Sequence, residues 1–440
     1  MKRLLGQGFD FVLKHSSTFR FIYHSAAQKM LRQGRIWSSL RHWNLWSTAN
    51  KHFIQGKLAN ATELWTHVLR DIYSQKDLDY DDYFPPFFSR EYWNAFGHRA
   101  ILVTALAAQD LGIVPKGKRH IKVPKQDINH PLLRALNHKL EVHIDDGEPD
   151  GVFPKDWSIF ERLEILRSRD GFIEMYGLID EVFKKAKSSK KNPLIELPGD
   201  YLEQSQLELE RYGYDSSNWF VGLHVRDDGL TTGRRSQSIN TYLPAISEIL
   251  ARGGQVIRIG DCTMPILDKT KGVIDLTQEK NSGRELHLFV LSESRFFIGT
   301  SSGPASYPSL FGVPTLFTNT TSIGRNTLAA AEHSFYVPKL LEDYKRILSF
   351  SEHLKTAEAF GELSAKELHR RGFHLKANSE AQILRAVVEM FDRLEARHVA
   401  DNAIDREIDM IRSYFPFSSS GQISHSFIEE RPEWINSAAV

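Results

Sequence analysis

Cysteine is almost absent from this sequence, since Cys262 is the only one in 440 residues. A single thiol cannot form an intrachain disulfide or a cysteine-rich zinc site, so a secreted disulfide scaffold and a zinc ribbon are both excluded. Long apolar runs are missing as well. The longest candidate, Ile101 to Ala108, is followed by Gln109 and Asp110. It falls well short of the ~18–20 residues that a membrane-spanning helix needs.

Neither sign of charge dominates, with 56 Lys and Arg against 55 Asp and Glu and a formal net charge of +1. This balance does not indicate a surface that binds polyanions as a whole. Apolar residues make up 41% and charged residues 25%, which excludes a largely disordered chain and a collagen. At ~150 residues per domain the length allows two sizeable domains. We therefore expect a cytoplasmic, soluble protein of at least two domains.

Several well-known motifs are also missing. The chain has no G-x-G-x-x-G fingerprint, no phosphate-binding P-loop and no H-E-x-x-H zinc motif. Its 18 histidines show no tight metal-ligand spacing, so no metal site is expected. Asp79-Tyr80-Asp81 matches a metal-binding D-x-D pattern, but it lies in a Pro-rich acidic loop and is interpreted as solvated.

The first 50 residues are strongly basic, with eight Lys and Arg against the single acid Asp10, a local balance of +7. A basic segment with interleaved aromatic residues either docks on its own protein or lies on an anionic membrane surface. Residues 46–73 resemble one helical hairpin of a tetratricopeptide-type repeat. One unit does not make an array, because about three are needed to bury a continuous core. Residues 1–75 are thus predicted to be a basic helical extension containing one hairpin.

The rest of the chain predicts an α/β protein. Residues 76–205 alternate strand-like and helical segments and are assigned to a first α/β domain. Residues 206–350 alternate short buried strands with helices, as in a doubly wound parallel sheet. Residues 351–440 are predicted to form C-terminal helices and a closing tail. Ligands bind beyond the carboxyl ends of the strands in such sheets, and three polar clusters of this chain fall at those ends.

The first cluster is His224-Val225-Arg226-Asp227-Asp228, at the end of an apolar strand. Alternation along the strand places His224 and Arg226 on one face. The planar donors of Arg suit a diphosphate. The alternative is a structural ion pair of Arg226 with Asp227, Asp228 or Asp261.

The second cluster is Gly260-Asp261, which ends the next predicted strand. A glycine lets the backbone approach a ligand, and a carboxylate suits ribose hydroxyls or a base edge. The alternative is an Asp that caps a helix.

The third cluster is Gly299-Thr300-Ser301-Ser302-Gly303, followed by Pro304. Three hydroxyl residues framed by glycines, with a helix predicted to begin at Pro304, favour an anion site at a helix N-terminus. The alternative is a turn with an ordinary cap. Together the three clusters predict a site for a nucleoside diphosphate.

The order HVRD, VIRIGD and SRFFIGTSSGPASYPSLFGVP resembles the motifs of fucosyltransferase-like glycosyltransferases of the GT-B architecture, and most of all a bacterial group from surface-polysaccharide genes. The likeness covers about 219–317 and, less specifically, the Gly97-His98 helix start and 378–390. It implies two Rossmann-like domains facing a cleft. The donor would bind in the second domain and a glycan or lipid-linked acceptor in the first, near His98. No metal or other cofactor is implied, since Arg supplies the positive charge.

The resemblance also implies roles for individual residues. Arg226 would hold the β-phosphate of the donor, with His224 shaping the same pocket. Asp261 would face the nucleoside, and Thr300, Ser301 and Ser302 the diphosphate. The family pattern often continues H-x-R with Gly, whereas Asp227 and Asp228 follow here, and this departure argues against fucose as the transferred sugar.

The general base is left open between His98, Asp227 and the pair Asp145-Asp146. A reading from another class also remains, in which the hairpin binds a partner and the sheet is a non-catalytic scaffold with a degenerate nucleotide site. The glycosyltransferase hypothesis predicts that Arg226 faces a cleft, whereas the scaffold hypothesis predicts that Arg226 is paired with Asp227.

Overall fold

The computed structural model describes most of the chain from residue 58 onward. The described residues are 45, 48–49, 52, 58–74, 87–88, 90–94, 96–114, 116–117, 119–145, 165–168, 171–227, 236–279, 286–321, 323, 331–360, 365–398, 402–413 and 421–435. The basic segment 1–44, Asp79-Tyr80-Asp81, Asp146 and Asp228 lie outside them. Of the predicted hairpin, helix α1 (Leu58–Ser74) is described, together with the helical residues 45, 48, 49 and 52.

The larger sheet has six parallel strands in the second half of the chain. They are β6 (Phe220–His224), β7 (Gln255–Arg258), β8 (Val273–Asp275), β9 (Phe296–Gly299), β10 (Thr315–Thr320) and β11 (Phe335–Pro338). Their order is β11-β10-β9-β6-β7-β8. The chain therefore begins in the middle, adds strands on one side, and then crosses to the other side of β6. Such a reversal between neighbouring strands opens a crevice at their carboxyl ends.

Strands β6 and β9 are short, mostly apolar runs because both of their faces are covered. All five residues of β6 are buried, as are all four of β7 and β9. Helices α7 (Leu243–Ala251) and α8 (His287–Glu293) connect consecutive strands. The doubly wound α/β prediction for this half is confirmed.

The first half carries a smaller parallel sheet. It consists of β1 (Phe87–Phe88), β2 (Arg119–Val123) and β3 (Leu140–Ile144), paired in chain order. The helices beside it are α2 (Arg90–Asn94), α3 (Phe96–Asp110) and α4 (Pro131–Leu136). Buried Leu102, Val103 and Leu106 on α3 belong to the same apolar core as Ile121 and Val123 of β2.

A two-stranded antiparallel ladder and two helices join the halves. They are β4 (Ile165–Ser168), β5 (Gly171–Glu174), α5 (Met175–Ser189) and α6 (Gly199–Arg211). Leu194 and Ile195, between the helices, donate backbone N–H groups to the carbonyl of Leu310 in the second half. The lysine run of residues 184–191 begins on α5, where Lys184, Lys185 and Lys187 are exposed.

The C-terminal part is helical, as predicted, with one small strand pair. Strand β12 (Leu340–Glu342) pairs with β13 (His374–Lys376) in antiparallel fashion. The helices are α9 (Phe350–Phe360), α10 (Ala365–Arg370), α11 (Glu380–Leu394), α12 (Asn402–Ser413) and α13 (His425–Glu430). Helix α11 begins with a capping box between Ser379 and Gln382, and its Phe391 packs edge-on against Phe296 of β9. This helix therefore closes the core of the second half.

None of the described helices combines the length and the hydropathy of a membrane-spanning segment.

Candidate functional site

A cleft of about 1000 Å³ lies at the carboxyl ends of the larger sheet. One wall carries residues from the ends of β6, β7 and β9, and the opposite wall comes from the first half. The second-half wall includes His224, Arg226, Asp227, Gly260, Asp261, His287, Ser302 and Gly303, and the first-half wall includes Phe96, Arg99, Asp127, His130, Arg134 and Tyr201. The predicted arrangement of two α/β units facing a cleft is thus present.

The end of β6 is held firmly at Arg226. Its backbone N–H donates to Thr300 Oγ1 at 3.0 Å, and its carbonyl accepts the N–H of Gln237 at 2.9 Å. The side chain of Arg226 is exposed and borders the cleft. The backbone is therefore fixed while the guanidinium faces the open space.

The Arg226 guanidinium has no ion-pair or hydrogen-bond partner in the described part of the chain. Asp227, the suggested structural partner, instead accepts the backbone N–H of Ile239 through Oδ2 at 3.1 Å. Asp261 accepts the N–H of Thr263 through Oδ1 at 2.9 Å. An exposed guanidinium that has no partner among the described residues and lies where a strand ends is suited to an anionic ligand.

His224 is buried at the end of β6 and is neutral near pH 7. Burial, together with the neighbouring His287 and Arg258, lowers the pKa of His224 to about 4. Its Nδ1 lies 3.0 Å from Ser302 Oγ, and this hydroxyl donates to the Thr300 carbonyl at 3.1 Å. His224 therefore orients the hydroxyl loop as a neutral ring and brings no positive charge to the cleft.

Gly260 and Asp261 meet the cleft at the end of β7. A Cβ on Gly260 would lie 2.4 Å from Met264 Sδ and 2.9 Å from Thr277 Cγ2, so glycine allows the chain to pack closely as it leaves the strand. Asp261 holds the following turn through Thr263. Both residues line the cleft.

The loop 299–303 divides into residues that face the cleft and residues that hold it. Ser302 and Gly303 line the cleft. Gly299 and Thr300 are buried, and Thr300 uses its hydroxyl to hold Arg226. Ser301 is half-buried and is not among the lining residues. Of the three hydroxyl residues predicted to face a diphosphate, only Ser302 lines the cleft, and Thr300 is buried with its hydroxyl engaged by Arg226.

The helix predicted to begin at Pro304 is replaced by two short 3-10 turns, Pro304–Ser306 and Pro308–Phe311. Pro308 has no N–H to donate to the Pro304 carbonyl four residues earlier, and its ring would clash with that carbonyl in an α-helix. The loop therefore has no α-helix N-terminus behind it, contrary to the prediction.

The acceptor-side candidate His98 lies outside the cleft lining. It is exposed on α3, near Tyr92, and Arg99 borders the cleft instead. Successive residues of a helix point about 100° apart, so only one of the two can face this wall.

Arg99 belongs to a polar cluster on the first-half wall. Its Nη1 lies 3.0 Å from His130 Nε2, and its guanidinium stacks over the Trp93 ring at 4.4 Å. Trp93 Nε1 donates to Asp127 Oδ2 at 2.7 Å. Burial and the Arg99 charge lower the pKa of His130 to about 4. This wall thus presents a cation, a neutral imidazole and a carboxylate.

Sequence reasoning missed Arg99, Asp127 and His130. A signal for Asp127 and His130 was present, because both follow the run Ile121-Lys122-Val123 that forms the end of β2 and so fall at the carboxyl end of a parallel strand. Of the base candidates, Asp227 lines the cleft and Asp145 does not.

No protein-family model and no curated protein sequence matches the chain. Among solved structures, it is similar to an ADP-heptose lipopolysaccharide heptosyltransferase II from E. coli. That match has 10% identity and a TM-score of 0.43 and covers 71% of this chain and 99% of that one.

Two further structures are similar at the same level. The iron-containing dodecameric glycosyltransferase TibC from enterotoxigenic E. coli matches at 10% identity and a TM-score of 0.39, over 70% of this chain and 76% of that one. A family 9 glycosyl transferase from Veillonella parvula matches at 11% identity and a TM-score of 0.32, over 69% and 80%. All three TM-scores lie below 0.5, so the function has to be sought in the residues of this cleft.

Proposed function

We propose that this protein is a glycosyltransferase that moves a sugar from a nucleoside diphosphate to a hydroxyl of a glycan or lipid-linked acceptor. The observation that carries the proposal is the exposed Arg226 guanidinium, unpaired among the described residues, in a cleft built from three neighbouring strand ends. The resemblance of the strand-end motifs to fucosyltransferase-like enzymes suggests a role in bacterial surface-polysaccharide synthesis.

The donor is placed on the second-half wall. Arg226 would hold the diphosphate through paired N–H groups. Asp261 would face the nucleoside as a hydrogen-bond acceptor. Gly260 and Gly303 line this wall and allow its chain to pack closely against Met264 and Gly97.

In the proposed reaction, an acceptor oxygen attacks the anomeric carbon of the donor sugar. The bond from that carbon to the β-phosphate oxygen breaks, and the electron pair leaves with the nucleoside diphosphate. Negative charge then grows on the phosphate next to Arg226, where a fixed cation stabilises the transition state more than the ground state. In this proposal no metal takes part in the step, because Arg226 supplies the charge.

The acceptor proton requires a base, and Asp127 is the proposed one. It is the carboxylate on the wall opposite Arg226, and Trp93 holds it in place. Asp227 is the less favoured candidate, because it lies beside Arg226 and caps the turn at Ile239. A base has to reach the face of the sugar opposite a leaving group when the configuration is inverted.

The first test is thermal stabilisation of the purified full chain by UDP, GDP, ADP, CDP and dTDP. At 100 times its dissociation constant, a ligand stabilises the folded state by ~2.7 kcal/mol. We expect one nucleotide to raise the melting temperature of the wild type and of Arg211→Ala, an exposed arginine on α6. The shift is expected to fall to about half or less in Arg226→Ala.

The second test separates an enzyme from a scaffold. Sugar nucleotides carrying the base found above, with hexose, fucose and heptose as the sugar, are incubated with the protein. Release of the nucleoside diphosphate is then measured. Release that disappears in Arg226→Ala and Asp127→Asn supports the transferase. Nucleotide binding without turnover of any donor, with or without a glycan acceptor, favours the scaffold, and no nucleotide binding overturns the donor site.

A further inference from the structure

A second cluster of chemically active side chains lies on the smaller sheet, away from the cleft. His120 on β2 pairs in register with Glu141 on β3, and Lys122 pairs with His143. Ile121 and Val123 of β2 are fully buried in the core. Because side chains alternate along a strand, His120, Glu141 and His143 share the opposite face of the sheet.

The three side chains converge on one point. His120 Nδ1 lies 3.0 Å from His143 Nε2 and 4.0 Å from a carboxylate oxygen of Glu141. The other carboxylate oxygen lies 3.7 Å from His143 Nε2. The His120 and His143 side chains are 18% and 16% exposed, and that of Glu141 is 38% exposed, so the cluster is sheltered and still open to solvent.

These separations are those of ligands around one metal ion. Zinc is bound at about 2.0–2.2 Å by imidazole nitrogen and carboxylate oxygen in a tetrahedral arrangement. Two such ligands then lie roughly 3.3–3.5 Å apart, and the three distances in the cluster fall on both sides of this value. Small side-chain rotations are enough to bring all three atoms to that spacing.

We propose that His120, Glu141 and His143 form a binding site for a divalent transition-metal ion, with Zn²⁺ as the best fit. Two imidazoles and one carboxylate are a ligand set that zinc takes with a water as fourth ligand. The ligands stand on two adjacent, hydrogen-bonded strands, so little freedom is lost when the ion binds. Lys122 shares this face, and its long stem allows the ammonium to turn toward solvent.

The site would act as a staple between β2 and β3. Val123 at the end of β2 leads within four residues to Asp127, which lines the cleft. An ion that fixes β2 to β3 would therefore hold the first-half wall in place. His120 and His143 are 23 residues apart and meet only through strand pairing, which explains why the spacing of the histidines predicted no metal site.

The test uses the full chain, stripped with a chelator and titrated with Zn²⁺ or with Co²⁺, whose visible absorption bands report coordination. Variants His120→Asn and His143→Asn are compared with wild type and with His138→Asn, a matched control on an exposed histidine outside the cluster. Circular dichroism establishes that each variant is folded. If one of the two ligand variants does not fold, the other still tests the site.

We expect wild type and His138→Asn to bind one more equivalent of metal than either ligand variant, and to gain melting temperature with Zn²⁺. Groups that only hydrogen-bond a metal ligand change metal affinity by ~10- to 100-fold when mutated, so the loss of a direct ligand should weaken binding by more than ~10-fold. Equal stoichiometry and equal thermal shifts in all four proteins would overturn the site and leave a hydrogen-bonded histidine pair.

Discussion

Arg226 differs from the buried arginines of the same half, because its guanidinium makes no hydrogen bond or ion pair with the described residues. Arg258, one strand away, is fully buried and donates to Asp275 at 2.9 Å and to the Pro265 carbonyl at 2.6 Å. Arg226 has its backbone fixed and its guanidinium exposed. Because this guanidinium makes no hydrogen bond or ion pair with the described residues, Arg226 can be replaced without unfolding the protein.

Arg226→Lys is expected to bind the nucleoside diphosphate less tightly than wild type and more tightly than Arg226→Ala. Lysine keeps the charge and loses the planar pair of donors. A hydrogen bond to a charged group contributes roughly 1.5–3 kcal/mol, so the Ala variant should lose about 10- to 150-fold in affinity. Calorimetric titration measures both values, and equal affinity of Lys and Arg would show that only charge is used.

Thr300→Val is expected to destabilise the fold, although valine has nearly the same shape. Thr300 Oγ1 accepts the backbone N–H of Arg226 in a buried place. Its removal leaves that donor unsatisfied, at a cost of roughly 1–3 kcal/mol. Chemical denaturation of Thr300→Val and of Thr300→Ser, which keeps the hydroxyl, measures the difference. A stable Val variant with a weakened Ser variant would show that packing matters at this position and the hydrogen bond does not.

At the scale of elements, the two halves meet at a contact between glycine backbones. A Cβ on Gly303 would lie 2.8 Å from the backbone N of Gly97 at the start of α3, and a Cβ on Gly97 would lie 3.2 Å from Gly303 Cα. Tyr307 Oη donates to the Phe96 carbonyl at 2.8 Å next to this contact. The width of the cleft at this end is therefore set by backbone against backbone.

Gly303→Ala is expected to push the halves apart, because the neighbouring atom is backbone and cannot rotate away. Overpacking of this kind typically costs ~1–3 kcal/mol, and nucleotide affinity should fall with it. Gly199→Ala is the matched control, since a Cβ at Gly199 meets nothing within 4 Å. Melting temperature and nucleotide affinity are measured for both. If Gly303→Ala and Gly199→Ala had the same melting temperature and the same nucleotide affinity, the backbone at this contact would be able to shift and accept the added methyl group.

The strands were the most predictable elements. Strand β6 is a short apolar run that ends at His224, and the apolar pair Val256-Ile257 of β7 precedes Gly260-Asp261. This local pattern locates His224, Arg226, Gly260 and Asp261, whereas β10 mixes apolar and polar residues. The prediction of a helix after Gly303 was wrong, although Pro308 in that segment is a residue that disrupts the interior of an α-helix. The direction of Thr300 and the identity of the opposite wall depend on packing between distant segments, which no local pattern contains.

At the scale of the whole molecule, three histidines whose pKa is lowered to about 4 or below make the stability depend on pH. Burial lowers the pKa of His353 to about 3, and burial with neighbouring charge lowers those of His130 and His224 to about 4. In the unfolded chain these rings take up protons below about pH 6.5. The unfolded state then binds more protons than the folded state, so the stabilising contribution is complete above pH 6.5 and is lost between pH 6.5 and about 4.

His353→Leu is expected to weaken this dependence. Each buried histidine contributes a slope of up to ~1.4 kcal/mol per pH unit on the acid side of its unfolded pKa. No described residue hydrogen-bonds His353 Nδ1. Replacing the ring by an apolar side chain of similar size therefore leaves no donor or acceptor unsatisfied at that atom. Unfolding free energies from pH 7 to 5 measure the slope, and a variant with the wild-type slope would place the proton uptake elsewhere.

The central position of β6 has a consequence for how the cleft responds to fluctuations. Strand β6 is hydrogen-bonded on both sides, to β9 and to β7, and its last residues carry the candidate donor site. Amides in such a strand exchange with solvent only through the largest openings of the structure. The wall of the cleft at the end of β6 is therefore expected to exchange slowly with solvent, and partial fraying of either sheet edge leaves it assembled.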